Sequence, residues 1–191
     1  MHNTIDQLCH VIRLFRKEQS GATAIEFSLL ALPFALTIIA IVELSMFFAT
    51  TTVLEGALHE ATRLIRTGEL QKEESLEDME ELFVETVCNH ARMLTKCSSI
   101  EYEVRKLDSF SSDISFSVDD DGHFSNPEFL ADDITAGCVA LLRLGYLYDF
   151  ITPFFGTLWS DYPDSKRLIV TTTVVKSEPY NFNVEDNCDI G

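Results

Sequence analysis

Positive charge is scarce in this chain. Of its 191 residues only 14 are Lys or Arg, against 31 Asp or Glu, so the formal net charge is −17. A surface this acidic repels phosphate backbones, and the composition therefore argues against nucleic acid as a partner. The imbalance is also uneven along the chain. Residues 1–21 carry a net +1, and the acidic excess lies entirely after them.

Catalytic and cofactor motifs are missing as well. The five histidines are scattered, and the sequence contains no HExxH, no GxSxG, no phosphate-binding loop and no glycine-rich nucleotide fingerprint. It has five cysteines, but no CxxC pair and no Cys/His spacing typical of zinc. The sequence therefore predicts a protein that is not an enzyme and that needs no cofactor.

One long apolar run is present instead. Phe27 to Val42 is 16 residues without a charge, bounded by Glu26 and Glu43. A span needs about 20 residues to cross the hydrocarbon core, so this run crosses only if both glutamates are accommodated. Basic residues precede the run and acidic ones follow it, which predicts a cytoplasmic N-terminus and an exported remainder. A cleaved secretory signal peptide is the main alternative, although its apolar core is usually shorter.

Helical periodicity continues beyond the run. Apolar residues recur at i, i+3 and i+4 as far as Ile65, and Arg66-Thr67-Gly68 supplies a cation and a glycine for a helix end. We expect one helix from about 22 to 66, transmembrane over about 25–48 and amphipathic thereafter. Pro33 is expected to bend it.

Residues 69–191 predict a small exported α+β head domain. Ser75 begins an amphipathic helix over about 75–94. Strand-like runs then follow as a block without alternating helices, which favours a mainly antiparallel sheet packed on that helix. The predicted strands are 100–107, 113–118, 137–148 and 167–177, and the predicted loops are 119–129 and 152–165. Aromatic residues of the second loop form either a docking surface or a cover for the core, and the C-terminal tail is predicted to be coil.

Four of the cysteines fall in the exported part. Cys88 and Cys97 are the nearest pair, but one continuous helix would hold their Cα atoms about 13.5 Å apart, beyond the limit of about 7 Å for a disulfide. Their disulfide therefore requires the helix to end and the chain to turn back near residues 94–96. Cys138 and Cys188 would then pair with each other or stay free. Four cysteines allow three pairings, and an oxidising compartment favours disulfides.

Calcium is the single metal hypothesis that the sequence raises. Asp119, Asp121 and Glu128 match three positions of the twelve-residue EF-hand loop. However, Ser117 stands where the first aspartate belongs, and the flanking residues do not predict helices. An Asp-Gly turn that leaves a strand explains most of the same pattern.

The start of the apolar run resembles a type IV prepilin-type cleavage site, in which a membrane peptidase cuts after a glycine. With Gly21 as that glycine and Ala22 as position +1, Glu26 is +5 and Phe27 is +6. Cleavage would leave an ammonium on Ala22, one helical turn from the Glu26 carboxylate, and neighbouring helix ends in a filament would pair these charges. Glu26 could instead be an interfacial acid without function. Glu43 is expected either at the outer interface or buried, neutral or paired in a complex.

The wider pattern resembles the TadE family of tight-adherence (Tad, Flp-type) pilus assembly proteins. That pattern is Gly-small-x-small-x-Glu-Phe-apolar-Pro, then a glutamate late in the span, then an alanine-rich helix that ends in Arg and Gly. The corresponding positions are Gly21, Glu26, Phe27, Pro33, Glu43, Ala61, Arg63 and Gly68. Weaker similarity continues in "TPFFG" at 152–156 and "RLIVTTTVVKSEPY" at 167–180.

The resemblance implies a minor pseudopilin, processed by a prepilin peptidase and needed to assemble the Flp pilus. It implies a single-pass protein of the bacterial inner membrane with a periplasmic head, either anchored there or incorporated in the pilus. Implied partners are the peptidase, other minor pseudopilins, the major Flp pilin and the inner-membrane Tad assembly platform. Two alternatives stay open: an unprocessed single-span scaffold of the secretion machinery, and an exported calcium-binding or adhesive domain.

Overall fold

The structure of the protein is a computed structural model that describes residues 20–179 and Cys188. Most of the predicted leader and most of the predicted C-terminal coil lie outside these residues. The described chain forms three helices and three strands, with short 3-10 turns between them. They are α1 (Ser20–Arg66), α2 (Leu76–Ala91), β1 (Ile100–Leu107), β2 (Val139–Asp149), α3 (Pro153–Trp159) and β3 (Lys166–Lys176).

Helix α1 continues through Pro33 without interruption and is 47 residues long. The chain divides into two compact units between Val42 and Glu43. In the first unit, the large apolar side chains from Ile25 to Val42 point outward and are 46% to 73% exposed. By length and composition, α1 can cross a membrane. Exposed apolar surface on this scale is typical of lipid contact, because monomers in water rarely expose such large apolar surfaces.

Gly68 terminates helix α1. It has φ +71, the left-handed conformation that glycine adopts without a steric penalty. Its N–H donates to the Ile65 carbonyl at 3.2 Å, and the Glu69 N–H donates to the Leu64 carbonyl at 2.9 Å. This pair of bonds is the Schellman arrangement, which satisfies carbonyls that the last helical turn leaves open.

The three strands form one antiparallel sheet in the order β1-β2-β3. Strand β2 lies in the centre, where Ile100 pairs with Tyr146 on one side and Ile169 pairs with the same residue on the other. The α+β class and the antiparallel sheet predicted from the sequence are confirmed. The strand predicted at 113–118 is wrong, since Val118 alone makes an isolated bridge.

Strand β2 is buried on both faces, which explains its nearly continuous apolar sequence. One face joins the main core, which also contains the apolar stripes of α1 and α2. Residues of this core include Leu54, Ala61, Ile65, Phe83, Val87, Leu142 and Leu144. The other face carries Leu141 and Val139 together with Leu107. Both helices therefore bury their apolar sides against the same side of the sheet.

Segment 113–118 covers the second face without forming a strand. Its carbonyls bond to arginine side chains of the sheet, because Arg143 donates to the Ile114 carbonyl at 2.6 Å and Arg105 donates to the Asp113 carbonyl at 3.1 Å. The Arg143 guanidinium also lies 4.3 Å from the centre of the Phe116 ring. Phe116, one of the alternating apolar residues that predicted a strand, therefore packs on the Arg143 guanidinium instead of taking part in a strand.

Segment 152–165 was also predicted as a loop, and this is wrong in part. It contains helix α3 and a 3-10 turn at Pro163–Ser165. Pro153 occupies the first turn of α3, where its fixed φ suits a helix and its missing N–H costs nothing. The proline and glycine content of segment 152–165 predicted a loop, but Pro153 starts a helix instead.

Arg143 has a buried guanidinium that holds this face together. Its side chain is 1% exposed and bonds to the Glu103 carboxylate and, at 3.2 Å, to the Thr172 hydroxyl. A buried cation is tolerated only when its donors are satisfied by such partners.

Arg143→Met is expected to lower the free energy of unfolding by about 1 to 3 kcal/mol. The Ile114 carbonyl loses its donor, and the Glu103 carboxylate loses one of its two arginine partners but keeps Arg105 at 3.0 Å. Urea titration of the full chain in detergent measures the change. Arg143→Met with Glu103→Gln should recover part of the loss, and Arg92→Met, at an exposed position, is the control. A loss no larger than that of the control would contradict the role given to Arg143.

Candidate functional site

A buried carboxylate lies directly after the apolar run. Glu43 is 4% exposed, although it belongs to a helix whose preceding residues are open to their surroundings. Its two oxygens accept hydrogen bonds from the backbone N–H groups of Ile151 at 2.6 Å and Thr152 at 3.0 Å. An ionised carboxylate with two N–H donors is a strong acceptor, so the burial of Glu43 is compensated.

The two residues that donate these bonds, Ile151 and Thr152, immediately precede helix α3. Thr152 is its N-cap residue, with φ −96 and ψ 127, and its own side chain makes no capping bond. Glu43 therefore provides the negative charge that the positive end of a helix favours. The segment that carries α3 is thereby fixed to α1 at the residue where the apolar run ends.

Aromatic rings surround this contact. Phe47 lies one helical turn after Glu43, with its ring centre 5.4 Å from that of Tyr148 and 6.0 Å from that of Phe150. Burial raises the pKa of Tyr148 above its ordinary value, and the nearby Glu43 charge raises it further. The raised pKa of Tyr148 indicates a poorly solvated environment, in which the hydrogen bonds to Glu43 are strong.

The predicted processing residues lie at the start of α1. Gly21, Glu26 and Phe27 are exposed, and Ala22 and Glu26 are one turn apart on the same helix. Pro33 lies within the helix, between the two glutamates. The predicted charge-pairing residues Glu26 and Glu43 thus have different environments, one exposed and one buried.

Two other residues of the family pattern lie near the end of α1. Arg63 donates to Glu60 at 3.2 Å and to Glu69 at 3.4 Å, and all three side chains are about half exposed. Exposed ion pairs contribute little stability, at most about 1 kcal/mol. Gly68 shapes the helix end, as described above.

The four described cysteines lie in two pairs. Cys88 and Cys97 are joined, with Cα atoms 5.4 Å apart, because α2 ends at Ala91 and the chain turns back. Cys138 and Cys188 are joined with a Cα separation of 5.1 Å. The second disulfide links Cys188 to the main core, because Cys138 is a fully buried residue of that core.

The acidic residues considered for calcium form a turn. The Asp119 carboxylate accepts the N–H groups of Asp121 at 3.1 Å and His123 at 2.8 Å, and Gly122 has φ +89. The Glu128 carbonyl accepts the Val104 N–H at 2.8 Å. Within residues 20–179 and Cys188, no group of three or more His, Cys, Asp and Glu side chains could hold a metal ion. The arrangement has the geometry of an Asp-Gly turn.

Sequence reasoning missed the partner of Glu43. The segment that binds it is 108 residues further along the chain. The sequence offered one signal, because the predicted resemblance included "TPFFG" at 152–156, the residues that follow Ile151. The late glutamate and this distant motif are joined in the structure by hydrogen bonds.

The chain therefore combines a helix able to cross a membrane with an α+β fold that buries a glutamate at the end of the apolar run. The model of one protein family, described as "TadE-like protein", matches residues 21–63. These residues are thus a TadE-like segment, which confirms the resemblance predicted from the sequence and indicates a function related to the Tad pilus. The match covers less than half of the chain. Neither the curated proteins nor the solved structures contain a match to this chain.

Proposed function

We propose that this protein is a minor pseudopilin-like component required for assembly of a Tad (Flp-type) pilus, and that a prepilin peptidase cleaves it after Gly21. The observation that carries the proposal is the TadE-like segment at residues 21–63, which begins at this glycine and includes both Glu26 and Glu43. Its role is to pack and to make contacts, not to catalyse a reaction.

The proposed mechanism starts with removal of the leader, which leaves an ammonium group on Ala22. The exposed apolar side chains of α1 then pack against sister helices instead of lipid. The Glu26 carboxylate is exposed on the single chain and is therefore available to pair with an ammonium at the end of a neighbouring helix. Such pairing offsets the cost of placing either charge in an apolar environment.

The α+β part would lie in the periplasm, where the two cysteine pairs form disulfides in an oxidising space. It would help to initiate or cap the fibre through contacts with other minor pseudopilins and the major Flp pilin. The N-terminus would remain on the cytoplasmic side of the inner membrane, near the Tad assembly platform, because basic residues precede the span.

Mass spectrometry of the membrane-extracted protein tests the processing step. The wild-type chain is expected to begin at Ala22, whereas Gly21→Ala should retain Met1, because the variant lacks the glycine of the proposed cleavage site. Gly56→Ala is the matched control, since both glycines lie in α1 and neither has an atom within 4 Å of an added Cβ. A wild-type chain that retains Met1 would overturn the proposal and favour an unprocessed membrane scaffold.

A further inference from the structure

An uncharged stretch of the acidic second unit exposes apolar side chains. Residues 150–159 contain no Asp, Glu, Lys or Arg, although the chain as a whole has a net charge of −17. Ile151 is 79% exposed, Leu158 is 62% exposed and Trp159 is 40% exposed. We call these three side chains the apolar patch. Water is an unfavourable environment for so many exposed apolar groups close together in sequence.

The hydrogen bonds of Glu43 define where Ile151, the first residue of the apolar patch, lies along α1. The Ile151 N–H is 2.6 Å from a Glu43 oxygen, and Glu43 directly follows Val42, the last residue of the apolar run. The 16 residues of that run extend about 24 Å along a helix, close to the thickness of about 30 Å of a hydrocarbon core. If α1 crosses a membrane, Glu43 is at the boundary of the hydrocarbon, and Ile151 is beside it.

We propose that the apolar patch inserts into the interface of the same phospholipid bilayer that α1 crosses. Tryptophan prefers the headgroup level of a membrane, because its ring is apolar and its N–H can reach water or a headgroup. Ile151, the first residue of the patch, is also bonded to Glu43, the residue that directly follows the apolar run. Lipid therefore fits better than a protein partner, because residues 150–159 carry no charged side chain that could form an ion pair with one.

This inference rests on the membrane-spanning role of α1 but not on pilus assembly or on processing after Gly21. In a subunit that is still anchored, the contact would hold the α+β fold against the membrane. Transfer of the subunit into a fibre would then require the apolar patch to leave the lipid.

Trp159 is the only tryptophan in the chain, so its fluorescence reports on the patch directly. The full-length protein is reconstituted in phosphatidylcholine vesicles whose acyl chains carry bromine, a quencher, either near the carbonyl end or near the methyl end. We expect Trp159 to lose more emission with bromine near the carbonyl end, as a side chain inserted about 5–10 Å into the headgroup and acyl boundary would. No loss of emission with either lipid would overturn the proposal.

A relocated tryptophan is the matched control. Phe110 is 63% exposed and follows β1, whose last residue, Leu107, pairs with Val139 at the far end of β2. Ten residues of strand, about 33 Å, separate that end from Asp149, which precedes the patch. Trp159→Phe with Phe110→Trp should therefore lose less emission than the wild-type chain.

Two further outcomes would contradict the inference. Equal losses from both tryptophan positions would indicate general association with lipid. A wild-type signal that depends on the ratio of protein to lipid would indicate contact with another copy. Because the vesicles contain neither peptidase nor pilins, either result leaves the proposed processing and assembly function untouched.

Discussion

Glu26→Gln is expected to reduce incorporation of the protein into the pilus about 100-fold while the chain still begins at Ala22. Without the carboxylate, the ammonium of a neighbouring helix end has no counter-charge in an apolar environment, at a cost of about 3 kcal/mol. Each 1.4 kcal/mol corresponds to about a tenfold change in an equilibrium constant, so a cost of about 3 kcal/mol reduces incorporation about 100-fold. The substitution preserves the size of the side chain, so packing of α1 is unchanged.

The measurement compares the amount of subunit in sheared pili with the amount of processed subunit in the membrane, in cells that produce only the variant. Glu55→Gln is the matched control, because Glu55 is an exposed glutamate of the same helix beyond the apolar run. Glu26→Asp keeps the charge on a shorter side chain and should give an intermediate result. Near-normal incorporation of Glu26→Gln would remove the basis for the pilin-like mechanism.

Local signals in the sequence predicted the elements that local interactions determine. Strand β1 occupies the predicted residues 100–107, and β3 lies within one residue of the predicted 167–177. The end of α1 followed from Gly68 because the left-handed conformation there is nearly specific to glycine. Ser75 started α2 by accepting the Asp78 N–H at 3.1 Å.

Long-range contacts determined what the sequence did not predict. Ile114 and Phe116 alternate with polar residues as they would in a strand, but Arg143 and Arg105 take the carbonyls that a neighbouring strand would need. Nothing within segment 113–118 itself signals this. The helix at Pro153–Trp159 was missed for a similar reason, since its N-terminal acceptor is on α1.

The candidate site was predictable in its residues but not in its contacts. Glu43 stood out as a charge at the end of an apolar run, and the sequence left open an interfacial and a buried position. The structure buries it against the N–H groups of Ile151 and Thr152, groups that every non-proline residue possesses. A partner without a distinctive side chain leaves no signature in a single sequence.

Glu43→Leu is expected to release the segment that precedes α3 and to lower the free energy of unfolding by about 4 kcal/mol. Leucine fills a similar volume but accepts no hydrogen bond, so the N–H groups of Ile151 and Thr152 lose their acceptors, at about 1–3 kcal/mol each. Glu43→Gln keeps one carbonyl oxygen and should cost about half as much. Because Glu43 directly follows the apolar run, we expect this loss of stability to arise at the boundary between that run and the rest of the chain.

Hydrogen exchange measured by mass spectrometry on the full chain in nanodiscs separates this contact from general destabilisation. Peptides that cover residues 148–155 should exchange up to about 1,000-fold faster in Glu43→Leu, the equivalent of about 4 kcal/mol. Peptides from β1, on the opposite side of β2 from β3, should change less. Glu55→Leu introduces the same side chain at an exposed position of α1 and should leave both regions unchanged. Unaltered exchange at 148–155 in Glu43→Leu would show that the buried carboxylate does not hold this segment. The proposed lipid contact of the apolar patch would then lose the structural contact that supports it.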